Sequence, residues 1–445
     1  MNVRTALVIC LGMLAAVSFG EETVAVPEYD ALHVGGGGTV ALMHRHEAET
    51  LRAFDLGTRK ERFRIDQVPK GALIGAGAGD LVVVSPGTMM MQRFDLKTGK
   101  REKVALLGGT DAPGKLVLGS ASEGPLFLYG AASAHVLDLQ TLKPAEVKSG
   151  ELKDYGRHGI SLLASADGKT IGRIPTGYGP VGYAVTQWSE TGLRRVKFGS
   201  TSNAIRWAQP TADGRLLLLP NGEVRTRNGR ELPTPWLEGA ALIPSSDPAL
   251  FLALKLDERD AEDRRVVKLS VCSTSDGRPL FHHRGYTELL PKRISSWHDI
   301  VGALRSGDTW RVVHLPEQKE LLTFPNSNDR MVFRSFDVDE RMRTEDLSKL
   351  VVTSAPPVAV RRNGALRYEI AAKFFGGAPK KEERKLSFEL VDGPEGAKIN
   401  KKGVLAWKVP EALLEERIRF LVAVRTGGEG GAEALHGFEV DVLRP

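Results

Sequence analysis

Cysteine is nearly missing from this chain: Cys10 and Cys272 are the two among 445 residues. A disulfide framework is therefore not what holds the fold together. Cys272 sits in the strand-like run 266–272 and reads as a small buried apolar group. Long apolar runs are also missing. Beyond residue 17 nothing approaches the ~18 consecutive apolar residues of a helical membrane span. His-Glu-x-x-His, Cys-x-x-Cys and EF-hand spacings do not occur, nor does the Gly-x-Ser-x-Gly nucleophile elbow. No stretch between 24 and 324 keeps a 3.6-residue period over ten residues or more, so long amphipathic helices are excluded there. Charge of one sign is not concentrated either: 61 basic residues stand against 55 acidic ones, a net +6. The basic pairs Arg361-Arg362, Lys380-Lys381 and Lys401-Lys402 all have acids close by. A basic face interleaved with aromatics, as nucleic acid would require, is absent, and no nucleic-acid partner is expected.

What is present begins with a targeting pattern. A short basic start at Met1–Arg4 leads into an apolar run at 5–17, too short to span a bilayer. Ser18-Phe19-Gly20 follows with small residues at the cleavage spacing, so 1–20 is expected to be a secretory signal peptide. Its removal takes Cys10 away and leaves a net charge of +5. The protein is then expected to be exported, to the periplasm, the cell surface or the medium, with no transmembrane segment left after cleavage.

The body of the chain repeats a strand end followed by a tight turn: Phe54-Asp55-Leu56-Gly57-Thr58-Arg59-Lys60, Phe94-Asp95-Leu96-Lys97-Thr98-Gly99-Lys100, and Leu137-Asp138-Leu139-Gln140-Thr141-Leu142-Lys143. Weaker copies stand near residues 188, 227, 275 and 315, a period of about 40–45 residues. Short apolar runs such as Leu81–Val84 and Leu216–Leu219 alternate with turns such as Asp167-Gly168 and Asp213-Gly214. Such a unit cannot bury its apolar face alone, and about seven four-stranded sheets arranged radially would protect one another's edges. Spacing places insertions in the fourth and sixth units, with the charged stretch 257–265 as a protruding hairpin tip. The aspartates and threonines of the turns are expected to bond locally to backbone, not to do chemistry.

The Asp-x-x-Thr-Gly-Lys turn after an alternating strand resembles the outer hairpin of secreted bacterial β-propellers, the YVTN and quinoprotein-like relatives of WD40 repeats. This resemblance covers 24–338. It implies an all-β fold, a β-propeller of about seven blades, and a binding platform. Quinoprotein repeats place a tryptophan shortly after the turn. Phe63, Val104 and Val147 stand there instead, so no quinone and no other cofactor is expected.

After a charged, strand-poor stretch at 339–349, read as a linker, the alternation resumes over 350–445. Leu366–Ile370, Leu386–Leu390, Val404–Trp407, Phe420–Val424 and Phe438–Val442 predict a small β-sandwich. Ala355-Pro356-Pro357, the strand from Phe388 with its Gly393-Pro394 turn, Gly403–Trp407 and the closing strand resemble cadherin-like or immunoglobulin-like domains of exported bacterial proteins. Relatives of that domain bind calcium at turns matching 371–374 and 424–427. Lys373 and Arg425 stand where carboxylates are needed, so no calcium is expected.

Metal and catalytic candidates are few. His44 and His46 share a strand face and could chelate zinc, but a third ligand close in sequence is missing. His282 and His283 point to opposite faces. The runs Gly35–Gly38 and 75–79 precede strands, not helices, so they read as loops between strands and not phosphate cradles. Ser, His and Asp are plentiful, and a set assembled from different repeats stays open. The expected function is that of an exported, non-catalytic binding or scaffold protein. Its propeller would be a platform for a protein or glycan of the cell envelope, its sandwich a spacer or adhesion module. Catalytic, cofactor-binding and metal residues are all expected to be none. The alternative is a propeller-class enzyme (lactonase, glycan lyase or quinoprotein-like) with a central-channel site. Convergence of His44, His46, His135 or His298 on the channel would favour it.

Overall fold

The computed structural model describes residues 21–108, 111–130, 134–145, 160–175, 181–189, 192–201, 207–259, 265–284, 303–377, 385–427 and 431–443. Their regular structure is almost wholly β-strand, with a short α-helix at Val338–Thr344. Among the described residues between 21 and 335 the strands form seven larger antiparallel sheets, six of four strands and one of three, and a two-stranded hairpin of Arg305–Ser306 with Thr309–Trp310. Six follow chain order, beginning with Ala31–Gly35, Val40–Arg45, Thr50–Asp55 and Lys60–Asp66. The seventh is joined from both ends of the repeat region: Val312–Leu315, Glu320–Thr323 and Arg330–Ser335, with Glu21–Ala25 as its outermost strand. Glu21 pairs with Arg334 and Ala25 with Arg330 in register. The result is an all-β, propeller-type ring.

Middle strands touch a neighbouring sheet on each face, which is why they read as continuous apolar runs. Leu81, Val82, Val83 and Val84 are all buried. Leu81 and Val83 pack with Leu42 and Leu51 of the first sheet, while Val82 and Val84 pack with Leu126 and Leu128 of the third. Outer strands cover less and carry charge, as in Lys60–Asp66 and Arg101–Leu106, which discourages edge pairing with other chains. Neighbouring sheets approach so closely that side chains must vanish. A Cβ on Gly172, on the second strand of its sheet, would lie 2.0 Å from the Ala208 carbonyl oxygen just before the next sheet, and one on Gly75, on an inner strand, would lie 2.1 Å from Leu116 Cδ2.

The repeated turns behave as local hydrogen-bonding units. The Asp55 carboxylate accepts from the Thr58 N–H at 2.6 Å, Asp95 from Thr98 N–H at 2.7 Å, and Asp138 from Thr141 N–H at 2.7 Å. The Thr98 and Thr141 hydroxyls donate to the same oxygens at 2.6 Å. The first two turns join the outer two strands of their sheets, while the third follows the outermost described strand of its sheet, Ala134–Leu137, and closes in a single bridge from Leu137 to Pro144. The turn near 315 differs: it links Val312–Leu315 to Glu320–Thr323, the inner pair, because the outermost position is already taken by the N-terminal strand. The charged stretch at 257–265 lies on the hairpin of Leu250–Arg259 with Arg265–Ser273, and its tip, 260–264, falls outside the described residues.

The segment read as a linker holds the helix Val338–Thr344, capped by the Asp337 carboxylate accepting from Glu340 N–H at 3.0 Å, and the strand Ser348–Val352. Val338 and Met342 are buried against the ring together with Val351 and Phe375. Beyond them a four-stranded sheet (Ala359–Arg361, Glu433–Leu443, Arg417–Thr426, Leu386–Asp392) faces a three-stranded one (Ala365–Glu369, Val404–Lys408, Lys398–Ile399). Tyr368, Trp407, Phe420 and Phe438 fill the space between these sheets, a small β-sandwich with its own core.

The sandwich is tied to the ring by polar contacts, those of Arg215 buried. Arg215 bonds the Asp213 carboxylate at 2.7 Å and donates to the carbonyls of Val352 at 3.2 Å and Thr353 at 3.0 Å. Arg194 pairs with Asp441, and Lys349 with Asp276 at 3.3 Å.

Candidate functional site

A cavity of about 600 Å³ lies where the inner strands converge, within the range of small-ligand sites. Every one of the seven sheets contributes to its wall, through Leu32, Ile74, Leu116, Leu163, Pro210, Pro244 and Val312 among others. The wall is largely aliphatic side chain and backbone. Strand alternation explains this: inner-strand residues that do not face the cavity face a neighbouring sheet, and both environments favour small or apolar groups.

The polar groups at the cavity are mostly engaged. Ser245 bonds His314 Nδ1 at 2.7 Å and Ser246 donates to the His314 carbonyl at 2.8 Å, so both turn toward the neighbouring sheet. Asp30 accepts from the His46 N–H at 2.7 Å and pairs with Arg45 at 3.4 Å. His33 lines the wall, and burial drags its imidazole down to about 4, so it is neutral at physiological pH. A tight ion pair crosses the cavity: Lys115 of the third sheet meets Asp308, in the Arg305–Trp310 hairpin that precedes the seventh, at 2.6 Å. Arg305 approaches Asp308 at 3.8 Å, and its guanidinium sits over the rings of Trp207 and Trp310, 5.3 and 5.1 Å from their centroids. These contacts pin the hairpin over the cavity.

The histidines singled out from sequence do not gather there. His44 is buried, and its Nε2 donates to the Val68 carbonyl at 3.0 Å. Burial lowers its pKa, which agrees with a neutral ring. The His46 ring packs edge-on against it at 4.8 Å. His135 is exposed beside a separate cavity of about 180 Å³ near Met89 and Leu106. His298 lies outside the described residues. His282 and His283 have different partners, Ser270 at 2.8 Å and Arg341 at 2.7 Å, as opposite faces of one strand require. Among the described residues no group of three or more His, Cys, Asp or Glu is arranged to hold a metal ion. Arg425, on the second of the two compared turns, pairs with Glu389 and Glu433, while Lys373 lies over the Phe375 ring and 3.6 Å from Asp339. Gly35 ends the innermost strand of the first sheet, and Gly36–Gly38 form a 3-10 turn leading into its second strand. Cys272 is buried, with its thiol pushed up by burial.

His33, Lys115 and Asp308 are the polar groups that sequence reading passed over. The available signal was positional. His33 is the middle residue of the first inner strand, Lys115 is the middle residue of the third, and Asp308 sits in the hairpin turn before the seventh, but one must know which strand of each unit is innermost to use it.

No protein-family model matches the chain, and no curated protein matches it. Its backbone is similar to solved propeller structures at low identity. The β-propeller domain of Cps50 (Swd1) from Myceliophteria thermophila is 12% identical, with a TM-score of 0.43, over 71% of this chain and 99% of that one. BamB from Moraxella catarrhalis is 15% identical, with a TM-score of 0.35, over 68% of this chain and 81% of that one. The Dos1 propeller is 9% identical, with a TM-score of 0.39, over 69% and 78%. The likeness is one of fold. Among the described residues no helix is long and apolar enough to cross a membrane.

Proposed function

We propose that this is an exported, non-catalytic binding or scaffold protein that recognises a protein or glycan of the cell envelope at the cavity end carrying Lys115 and Asp308. The observation behind this reading is the architecture of that end. One ring brings inner-strand residues of all seven sheets to a common wall, and Lys115 and Asp308 there are paired with each other instead of being poised as acid and base. A rigid frame carrying variable loops suits recognition. Export rests on the basic start, the apolar run at 5–17 and the small residues at 18–20. Seven blades, with 24–338 as propeller and 350–445 as an adhesion or spacer module of cadherin-like type, complete the proposal.

Two measurements test it. Assay of the full chain on panels of glycans, lactones and peptides should show no turnover. Capture from envelope extract should be weakened by Lys115→Glu. Turnover that falls with His33→Ala would establish the enzymatic alternative, since His33 is the neutral imidazole on the cavity wall.

A further inference from the structure

A second concavity, remote from the central one in its lining, lies where the sandwich meets the ring. It is a narrow cleft of about 60 Å³, large enough for a few waters or one tetrahedral ion. Arg215, Arg227, Asn228 and Arg230 form its ring side, and Pro356, His436 and Glu439 are on the sandwich side.

The charges of the cleft do not balance. Arg215 is committed to Asp213 and to two backbone carbonyls. Arg227 is only 7% exposed, yet its one hydrogen bond goes to the Pro356 carbonyl and it forms no ion pair among the described residues. Burial lowers its guanidinium to about 10. Arg230, on the exposed rim, also has no ion pair among the described residues. The buried Asn228 Oδ1 has no partner. Exchange of the amide oxygen and nitrogen would turn a donor into the same space. The acid on the wall, Glu439, pairs with Arg417 at 3.8 Å. His436 is held neutral by burial, at about 3, and its Nε2 bonds the Tyr368 hydroxyl at 3.1 Å. Asp213, whose charge acts on Arg227, is already engaged by Arg215; a buried guanidinium with no carboxylate of its own is costly, and its fork of N–H donors matches the oxygens of an oxyanion.

We propose that this cleft binds a small inorganic oxyanion of the phosphate or sulfate class, held by Arg227 with Arg230 and the Asn228 amide. The cleft is too narrow for a peptide strand, which favours a free ion over an acidic side chain of a partner. Bound there, the ion bridges the Thr226–Arg230 turn of the ring and the Glu433–Leu443 strand of the sandwich, and stiffens the junction.

The test uses the full chain in buffers of fixed ionic strength, replacing chloride stepwise by phosphate or sulfate. Isothermal titration calorimetry and thermal melting should both show saturable binding. Arg227→Gln should weaken it by at least about tenfold, the loss of a charge-assisted bond, and Arg230→Gln by severalfold. Arg101→Gln, on a distant outer strand, should leave it unchanged. Sulfate raises melting temperatures generally by exclusion from surfaces. A rise that never saturates, or that is the same in wild type and both cleft variants, would overturn the proposal. If Arg227→Gln fails to fold, calorimetry on the wild type and Arg230→Gln decides: no saturable heat, or equal affinity in the two, rejects the site.

Discussion

Lys115 and Asp308 meet at 2.6 Å across the central cavity, although the first belongs to the third sheet and the second to the hairpin before the seventh. In the chain the fourth, fifth and sixth sheets lie between them. Asp308 is half exposed, so solvent screens the pair and its contribution to stability should be small. A double-mutant cycle with Lys115→Met and Asp308→Asn is expected to give a coupling below ~1 kcal/mol in chemical denaturation. A coupling well above ~2 kcal/mol would mean that this pair, and not the sheet interfaces, holds the ring closed.

Arg215 should behave in the opposite way. Both it and Asp213 are buried, and it alone satisfies the carbonyls of Val352 and Thr353 from the ring. Arg215→Met strands a buried carboxylate and is expected to cost about 3–5 kcal/mol. Adding Asp213→Asn should recover part of the loss. Urea denaturation followed by tryptophan fluorescence would measure both; equal stabilities of the single and double variants would refute the coupling.

Acid should loosen the fold through buried histidines. His314 and His436 are buried, and desolvation holds them near 4 and 3. The unfolded chain protonates these rings near 6.5 while the native state resists. Each group's stabilisation is therefore complete above about pH 6.5 and declines as pH falls toward the native value, by up to ~1.4 kcal/mol per pH unit. Denaturation midpoints between pH 7.5 and 4.5 should fall, and His314→Gln should flatten the dependence. A midpoint independent of pH in that window would contradict the burial of these rings.

Gly172 offers a test of how tightly the sheets converge. Gly172→Ala would drive a methyl group into the Ala208 carbonyl, a backbone atom that cannot rotate away. The expected cost is about 2–3 kcal/mol. Asp95→Ala, which removes the two Thr98 bonds of an exposed turn, should cost only about 1 kcal/mol. Thermal melts that rank these two variants the other way round would show that the turns, not the close approach of neighbouring sheets, limit stability.

Much of this architecture was legible in the chain. Turn chemistry is local, so Asp55-x-x-Thr58 and Asp95-x-x-Thr98 announced outer hairpins through residue types alone, and runs such as Leu81–Val84 announced strands buried on both faces. The misplaced turn was the one near residue 315. Its text resembles the others, but its position among the strands depends on Glu21–Ala25 arriving from nearly 300 residues away, and sequence-local cues carry no such information. The helix Val338–Thr344 was missed for a related reason. Its segment is strongly charged, and what holds it is burial of Val338 and Met342 against a surface made by other parts of the chain. The cavity groups His33, Lys115 and Asp308 were illegible because facing inward is a property of the closed ring, not of any one strand.

The pairing of Glu21–Ala25 with Arg330–Ser335 also sets a clock. On a ribosome, the first described strand waits for its partner while some 310 residues are made, roughly 15–60 seconds at ordinary synthesis rates. During that interval the repeat units can form one by one, but the ring stays open, with a strand edge bare at its growing end. Completion is a late, long-range event of the kind that slows folding. Under the export proposed above, that delay would be useful: a ring that cannot lock until its last sheet exists stays threadable until synthesis reaches residue 335.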